Sequence, residues 1–103
     1  MRVQDKAEGG TVKKIYIAGK ITGDAGYKEK FAAAEQKLTR EGYIVLSPAV
    51  LPEGMSTADY MRICFAMIDV ADMVGFLDDS LQSMGARLEW DYCAYTHKEV
   101  VLL

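Results

Sequence analysis

A chain of 103 residues with a formal net charge of -3 at pH 7 has room for one core, and falls short of a two-halved dinucleotide fold. Its acidic and basic residues are interspersed, which leaves no basic stripe for a nucleic-acid polymer and no polybasic patch for a membrane surface. No apolar run approaches the ~20 residues of a transmembrane helix and the N-terminus lacks the apolar core of a signal peptide, so a cytoplasmic protein is expected.

Residues 1–12 are polar, contain Gly9-Gly10 and show no periodicity; they read as a flexible leader, with one domain over residues 13–103. Lys14-Ile15-Tyr16-Ile17-Ala18 is a short β-rich run, and the segment Gly19 to Gly26 that follows is a glycine-rich loop. From Tyr27 the pattern turns helical. Phe31, Ala34 and Leu38 share one face, Lys28, Lys30, Glu35 and Arg40 fall on the exposed side, and Gly42 marks the stop. Tyr43 to Leu46 is a second strand, broken by Ser47-Pro48 into a loop that reaches Met55.

Ser56 or Thr57 then caps a helix in which Tyr60, Ile63, Cys64, Met67 and Ile68 recur at a period near 3.6. Met73 to Leu77 reads as a buried third strand and Asp78 to Gln82 as a polar loop. A third helix runs from Ser83 or Met84 to Thr96, and Val100 to Leu103 closes as a fourth strand. The order β-α-β-α-β-α-β predicts a small flavodoxin-like or Rossmann-like three-layer α/β domain with a four-stranded parallel sheet, order 2-1-3-4. The strand order reverses between the first and third strands. Both the Gly19 loop and the Ser83 loop therefore open at one crevice, where ligands of such sheets collect.

In Ser83-Met84-Gly85-Ala86-Arg87-Leu88-Glu89 a small-residue turn opens a helix and puts a carboxylate in its second turn. Free N–H groups at the helix start favour an anion, Gly85 permits close approach, and Ser83 can cap the helix or bond a phosphate oxygen. Glu89 suits attack on an electron-poor carbon such as the anomeric carbon of a sugar; by spacing alone a solvated helix glutamate is the commoner case. The loop Gly19, Lys20, Ile21, Thr22 and Gly23 offers glycines, a hydroxyl and a cation, without the ending of a nucleoside-triphosphate loop or the spacing of a dinucleotide fingerprint. Asp78 and Asp79 stand where they could hold a sugar hydroxyl or simply keep a loop soluble. With His97 as the one histidine there is no His-rich metal site, and Cys64 and Cys93 lack zinc or redox spacing and read as reduced, packed thiols. Neither metal nor organic cofactor is expected.

Two stretches carry a family resemblance. Ile15 to Gly23 resembles the opening strand and loop of the nucleoside 2-deoxyribosyltransferase-like superfamily, and Ser83-x-Gly85-x-x-x-Glu89 after the third strand resembles its nucleophile helix. The likeness spans Lys13 to Leu103, and the chain closely resembles a small branch found in bacteria and their phages. It implies that Glu89 forms a covalent glycosyl-enzyme, that Tyr16 orients it, and that Gly19 to Gly23 lie along sugar and base. Ser83 matches the phosphate-binding serine of the 2'-deoxynucleoside 5'-phosphate N-hydrolases, where nucleoside-specific transferases carry an aspartate. Cys64 stands where better-known members place an aspartate that binds or protonates the leaving base. Asp91 replaces the usual glycine after the nucleophile, with bulky Trp90 beside it.

The resemblance implies cleavage, by hydrolysis or transfer, of the N-glycosidic bond of a (deoxy)nucleoside 5'-monophosphate, in a homodimer or higher homo-oligomer. A module that holds a nucleotide or nucleotide-derived signal without turnover is the rival, and the altered residue at Cys64 suits it. A third reading is an interaction domain whose Met- and Tyr-rich helices serve to oligomerise.

Overall fold

Residues 12–103 are described by the computed structural model; the leader expected over residues 1–12 lies, apart from Val12, outside the described residues. The strand Lys14–Ala18 (β1) sits at the centre of the sheet, and its side chains alternate between two layers. Ile15 and Ile17 pack with Phe31 and Leu38 of the helix Tyr27–Arg40 (α1). Tyr16 and Ala18 pack on the other face with Cys64 and Ile68 of the helix Thr57–Val70 (α2) and Cys93 of the helix Met84–Thr96 (α3). One helix thus covers one face and two cover the other.

The remaining strands are Ile44–Leu46 (β2), Met73–Phe76 (β3) and Glu99–Leu102 (β4). All neighbours pair in parallel and the order is β2-β1-β3-β4, a four-stranded flavodoxin-like arrangement. The expected and observed topologies coincide because each of the first three strands is followed by a helix whose bounds are set by local signals. Gly42, just beyond α1, has φ +100, a left-handed conformation that glycine adopts without strain. Ser56 caps α2 by accepting from the Asp59 N–H at 3.1 Å. Strand ends differ from expectation by one residue: Tyr43 and Leu77 lie just outside β2 and β3, and β4 starts at Glu99.

Two short 3-10 turns, Pro48–Val50 and Ser80–Gln82, stand where only loops were expected. Phe65 and Tyr92 stack at 4.3 Å and join α2 to α3. Trp90 packs edge-on against Phe76 at 4.9 Å, so its bulk lies on the sheet. No helix among the described residues is long and apolar enough to cross a membrane.

Candidate functional site

The buried stripe of α3 is Ala86, Glu89 and Cys93, a helical spacing that would ordinarily carry three apolar residues. Glutamate is almost never fully buried unless paired. Here Glu89 is 4% exposed, and no ammonium or guanidinium among the described residues pairs with it. Its partner is the Tyr16 hydroxyl, which donates to Glu89 Oε2 at 2.8 Å from a side chain that is itself fully buried. The register of β1 is what aims Tyr16 at α3.

Burial pushes the Glu89 carboxyl up to about 7, and hydrogen bonds from Tyr16 and from the Cys64 thiol restrain the rise. Burial and then the neighbouring Glu89 charge raise Tyr16 well above the usual phenol range. The Cys64 thiol is pushed by burial to about 11, as is Cys93, further along the same helix. The trio Tyr16, Cys64 and Glu89 is therefore a carboxylate poised near neutrality between two groups that stay protonated. Half-ionised at pH 7, it can act as a nucleophile.

These three side chains form the floor of a cavity of about 800 Å³. One wall is the loop after β1, with Gly19, Ile21 and Thr22, continued by Tyr27 at the start of α1. The opposite wall runs from Pro48 through Leu51, Pro52, Glu53 and Gly54 into Thr57, Ala58, Tyr60 and Met61 of α2. The start of α3 closes the third side with Gln82, Ser83, Met84, Gly85 and Leu88. Ser83 caps α3, its Oγ accepting from the Ala86 N–H at 3.2 Å, which leaves its hydroxyl hydrogen free to donate. The N–H groups of Met84 and Gly85 precede the first intrahelical bond and face no helical acceptor. Anion binding here would rest on that hydroxyl and those amides, because among the described residues the lining contains no lysine or arginine.

Tyr16, Gly19, Ile21, Thr22, Cys64, Ser83, Gly85 and Glu89 are thus brought together around one space. Lys20, Gly23 and Asp78 are not among its lining residues. Gly23 instead holds a positive φ of 82 in the turn before α1, Lys20 lies alongside it, and Asp78 is exposed in the turn after β3. Gly19 is pressed against β3: a Cβ there would come within 2.7 Å of Leu77 Cδ1. His97 ends α3 in a left-handed conformation with φ 62, exposed.

Asp79 does other work. Lys30, expected on the exposed side of α1, is half-buried and binds Asp79, Asp24 and the Lys20 carbonyl, while Asp79 Oδ1 accepts from the Lys20 N–H at 3.1 Å. Glu35, also expected to be exposed, is half-buried as well. Burial would raise Asp79, yet Lys30 and the Lys20 N–H hold it below the usual carboxylate range. Burial likewise opposes the Lys30 charge, and the two carboxylates outweigh it and raise its pKa. The wall from Pro48 to Met61 and the Lys30 cluster are the parts that sequence reasoning missed. Among the described residues no group of His, Cys, Asp and Glu is arranged to hold a metal ion.

The model of a family described as "Domain of unknown function (DUF4406)" matches residues 13–102. No curated protein matches the sequence.

Proposed function

The chain belongs to the DUF4406 family, and we propose that it is a branch of the nucleoside 2-deoxyribosyltransferase-like superfamily that cleaves the N-glycosidic bond of a (deoxy)nucleoside 5'-monophosphate. One observation carries this reading: a buried carboxylate without a cationic partner among the described residues, Glu89, lies at the floor of a roomy cavity and is fixed by the Tyr16 hydroxyl. A carboxylate so placed is costly to the fold and suited to form a bond. The Glu89 oxygen attacks the anomeric carbon as the carbon–nitrogen bond breaks through an oxocarbenium-like state. Ser83 and the first amides of α3 hold the 5'-phosphate. Water or a second base then resolves the glycosyl-enzyme.

Buried, reduced Cys64 and Cys93 fit a cytoplasmic setting. Met84, Leu88 and Tyr95 leave an exposed apolar stripe along α3 beside the cavity, which fits a homo-oligomer. A binder without turnover is the second reading, favoured by a thiol at position 64 in place of a stronger acid. Incubation with a panel of nucleotides, followed by mass spectrometry for free base and for glycosylated protein, separates the two. Base release that is lost in Glu89→Gln supports the enzyme; nucleotide binding without release or adduct supports the binder.

A further inference from the structure

A base that leaves a sugar takes the electron pair of the broken bond and needs a proton unless it is already charged. Among the described residues the cavity wall holds no imidazolium, and besides the nucleophile Glu89 no carboxyl group free to give that proton, and we infer that the substrate is a nucleoside 5'-monophosphate whose base carries a positive charge on the ring bonded to the sugar. This deepens the N-glycosidic reading above and rests on it. The substrate class includes pyridinium ribotides and N7-alkylated purine nucleotides.

The candidates for a leaving-group acid can be taken in turn. Tyr16 spends its proton on Glu89 Oε2 and is held well above the phenol range. Cys64, pushed to about 11, is a feeble donor at neutral pH. Glu53, on the far wall, is ion-paired to Lys28 at 2.9 Å and held below the usual carboxylate range, hence ionised. Tyr60 donates to the Pro52 carbonyl at 2.5 Å. The other hydroxyls of the wall, on Thr22, Tyr27, Thr57 and Ser83, are weaker acids than a carboxyl group or an imidazolium. Asp24 and Asp79 are bound to Lys30, and Asp78 lies off the wall.

The charge of the cavity points the same way. Glu53 is neutralised by Lys28, but Glu89 has no such partner, and among the described residues the lining holds neither lysine nor arginine, so a substrate with one positive charge to offset its phosphate is better suited than a neutral-base dianion. The step balances without an acid. Glu89 Oε bonds to the anomeric carbon, the carbon–nitrogen pair returns to the ring nitrogen, and the base departs neutral. Water then bonds to the same carbon, frees the carboxylate and releases one proton to solvent. Tyr16 from β1, Cys64 from α2 and Cys93 on α3 are the titratable groups that face Glu89, and all three stay protonated across the neutral range.

The test compares 7-methylguanosine 5'-monophosphate with guanosine 5'-monophosphate, and adds nicotinamide mononucleotide, in ribose and 2'-deoxyribose forms, each corrected for spontaneous release. The cationic probes should be turned over with a kcat/KM at least about 100-fold above the neutral one, the scale of a missing general acid. The profile with nicotinamide mononucleotide, whose charge is fixed, should rise as Glu89 ionises near pH 7 and stay level above it. Glu89-dependent release from the neutral nucleotide within about tenfold of its methylated twin would overturn this inference and leave the N-glycosidic reading standing. A falling limb above pH 7 with nicotinamide mononucleotide, whose pyridinium charge does not titrate, would overturn it too. No Glu89-dependent release from any probe would remove both.

Discussion

Two polar clusters occupy the same end of the sheet, and they are built on opposite rules. On the α1 side, Lys30 gathers Asp24, Asp79 and a backbone carbonyl, so each charge has its opposite within contact. On the α2 and α3 side, Glu89 is more deeply buried and has only a phenol and a thiol for company. The first cluster ties the loop after β1 to the loop after β3 and asks nothing of a ligand. The second keeps a charge that the fold does not satisfy. Their pH dependences have opposite sign. Asp79 is held below 3.8, so its stabilisation is present above that value and is lost as pH falls through its lowered pKa. Glu89 is raised from 4.5 to about 7, so the folded state binds the extra proton and loses stability as pH rises between those values.

The sharpest way to break the contrast is Glu89→Gln. Base release should fall by at least about 1000-fold, since an amide is barely nucleophilic. Stability should rise, by about 3 kcal/mol at pH 8 and far less at pH 5, from a raised pKa worth about 1.4 kcal/mol per unit. Denaturant melts at the two pH values check the sign; a loss at pH 8 would mean that Glu89 is a satisfied structural charge like Asp79.

Cys64→Asp adds a second carboxylate to the unsatisfied cluster, and should cost roughly 3 kcal/mol of stability because two such groups cannot both ionise in one buried site. The same variant should begin to release neutral bases when assayed beside its thermal melt. Unchanged stability and unchanged substrate range would take Cys64 out of the site.

Ser83→Ala asks whether anion affinity resides at α3 rather than with a lysine. Monophosphate binding should weaken by roughly 1 to 3 kcal/mol, with nucleoside binding nearly unchanged. Equal losses in calorimetry would reduce Ser83 to its capping bond.

Lys30→Met should be mildest, on the order of 1 kcal/mol at neutral pH for a partly exposed pair, and the difference from wild type should shrink in acid below pH 3.8 as the carboxylates protonate. Base release should change less than about tenfold once stability is matched. A larger loss would merge the two clusters into one functional unit.

Local signals account for what could be read in the chain. The alternation of Ile15, Tyr16 and Ile17, the Ser83 cap and the helical spacing of Cys64 and Glu89 each speak for one element, and parallel topology then places their ends at one crevice. The meeting of Tyr16 with Glu89 was legible only through a family likeness, because no local rule joins residues of β1 and α3. The wall from Pro48 to Gly54 was not legible. Its 3-10 turn is too short for a period, and its apolar residues carry no chemistry of their own. Lys30 was misjudged because helical periodicity tells which face a side chain leaves from, not whether a loop folds over it.

Gly19 and Leu77 approach so closely that the loops after β1 and β3 share one van der Waals surface, and Lys30 bolts them together on the far side. The cavity wall after β1 is therefore braced from behind by Leu77 and Asp79, which do not themselves line the cavity. The opposite wall is fastened separately: its segment 51–55 turns at Gly54 with a φ of 97, and the Tyr60 hydroxyl accepts from the Met55 N–H and donates to the Pro52 carbonyl. Neither fastening shares an atom with the Tyr16–Glu89 bond. Residues of that wall can therefore be exchanged one at a time with the Glu89 oxygen still held by β1.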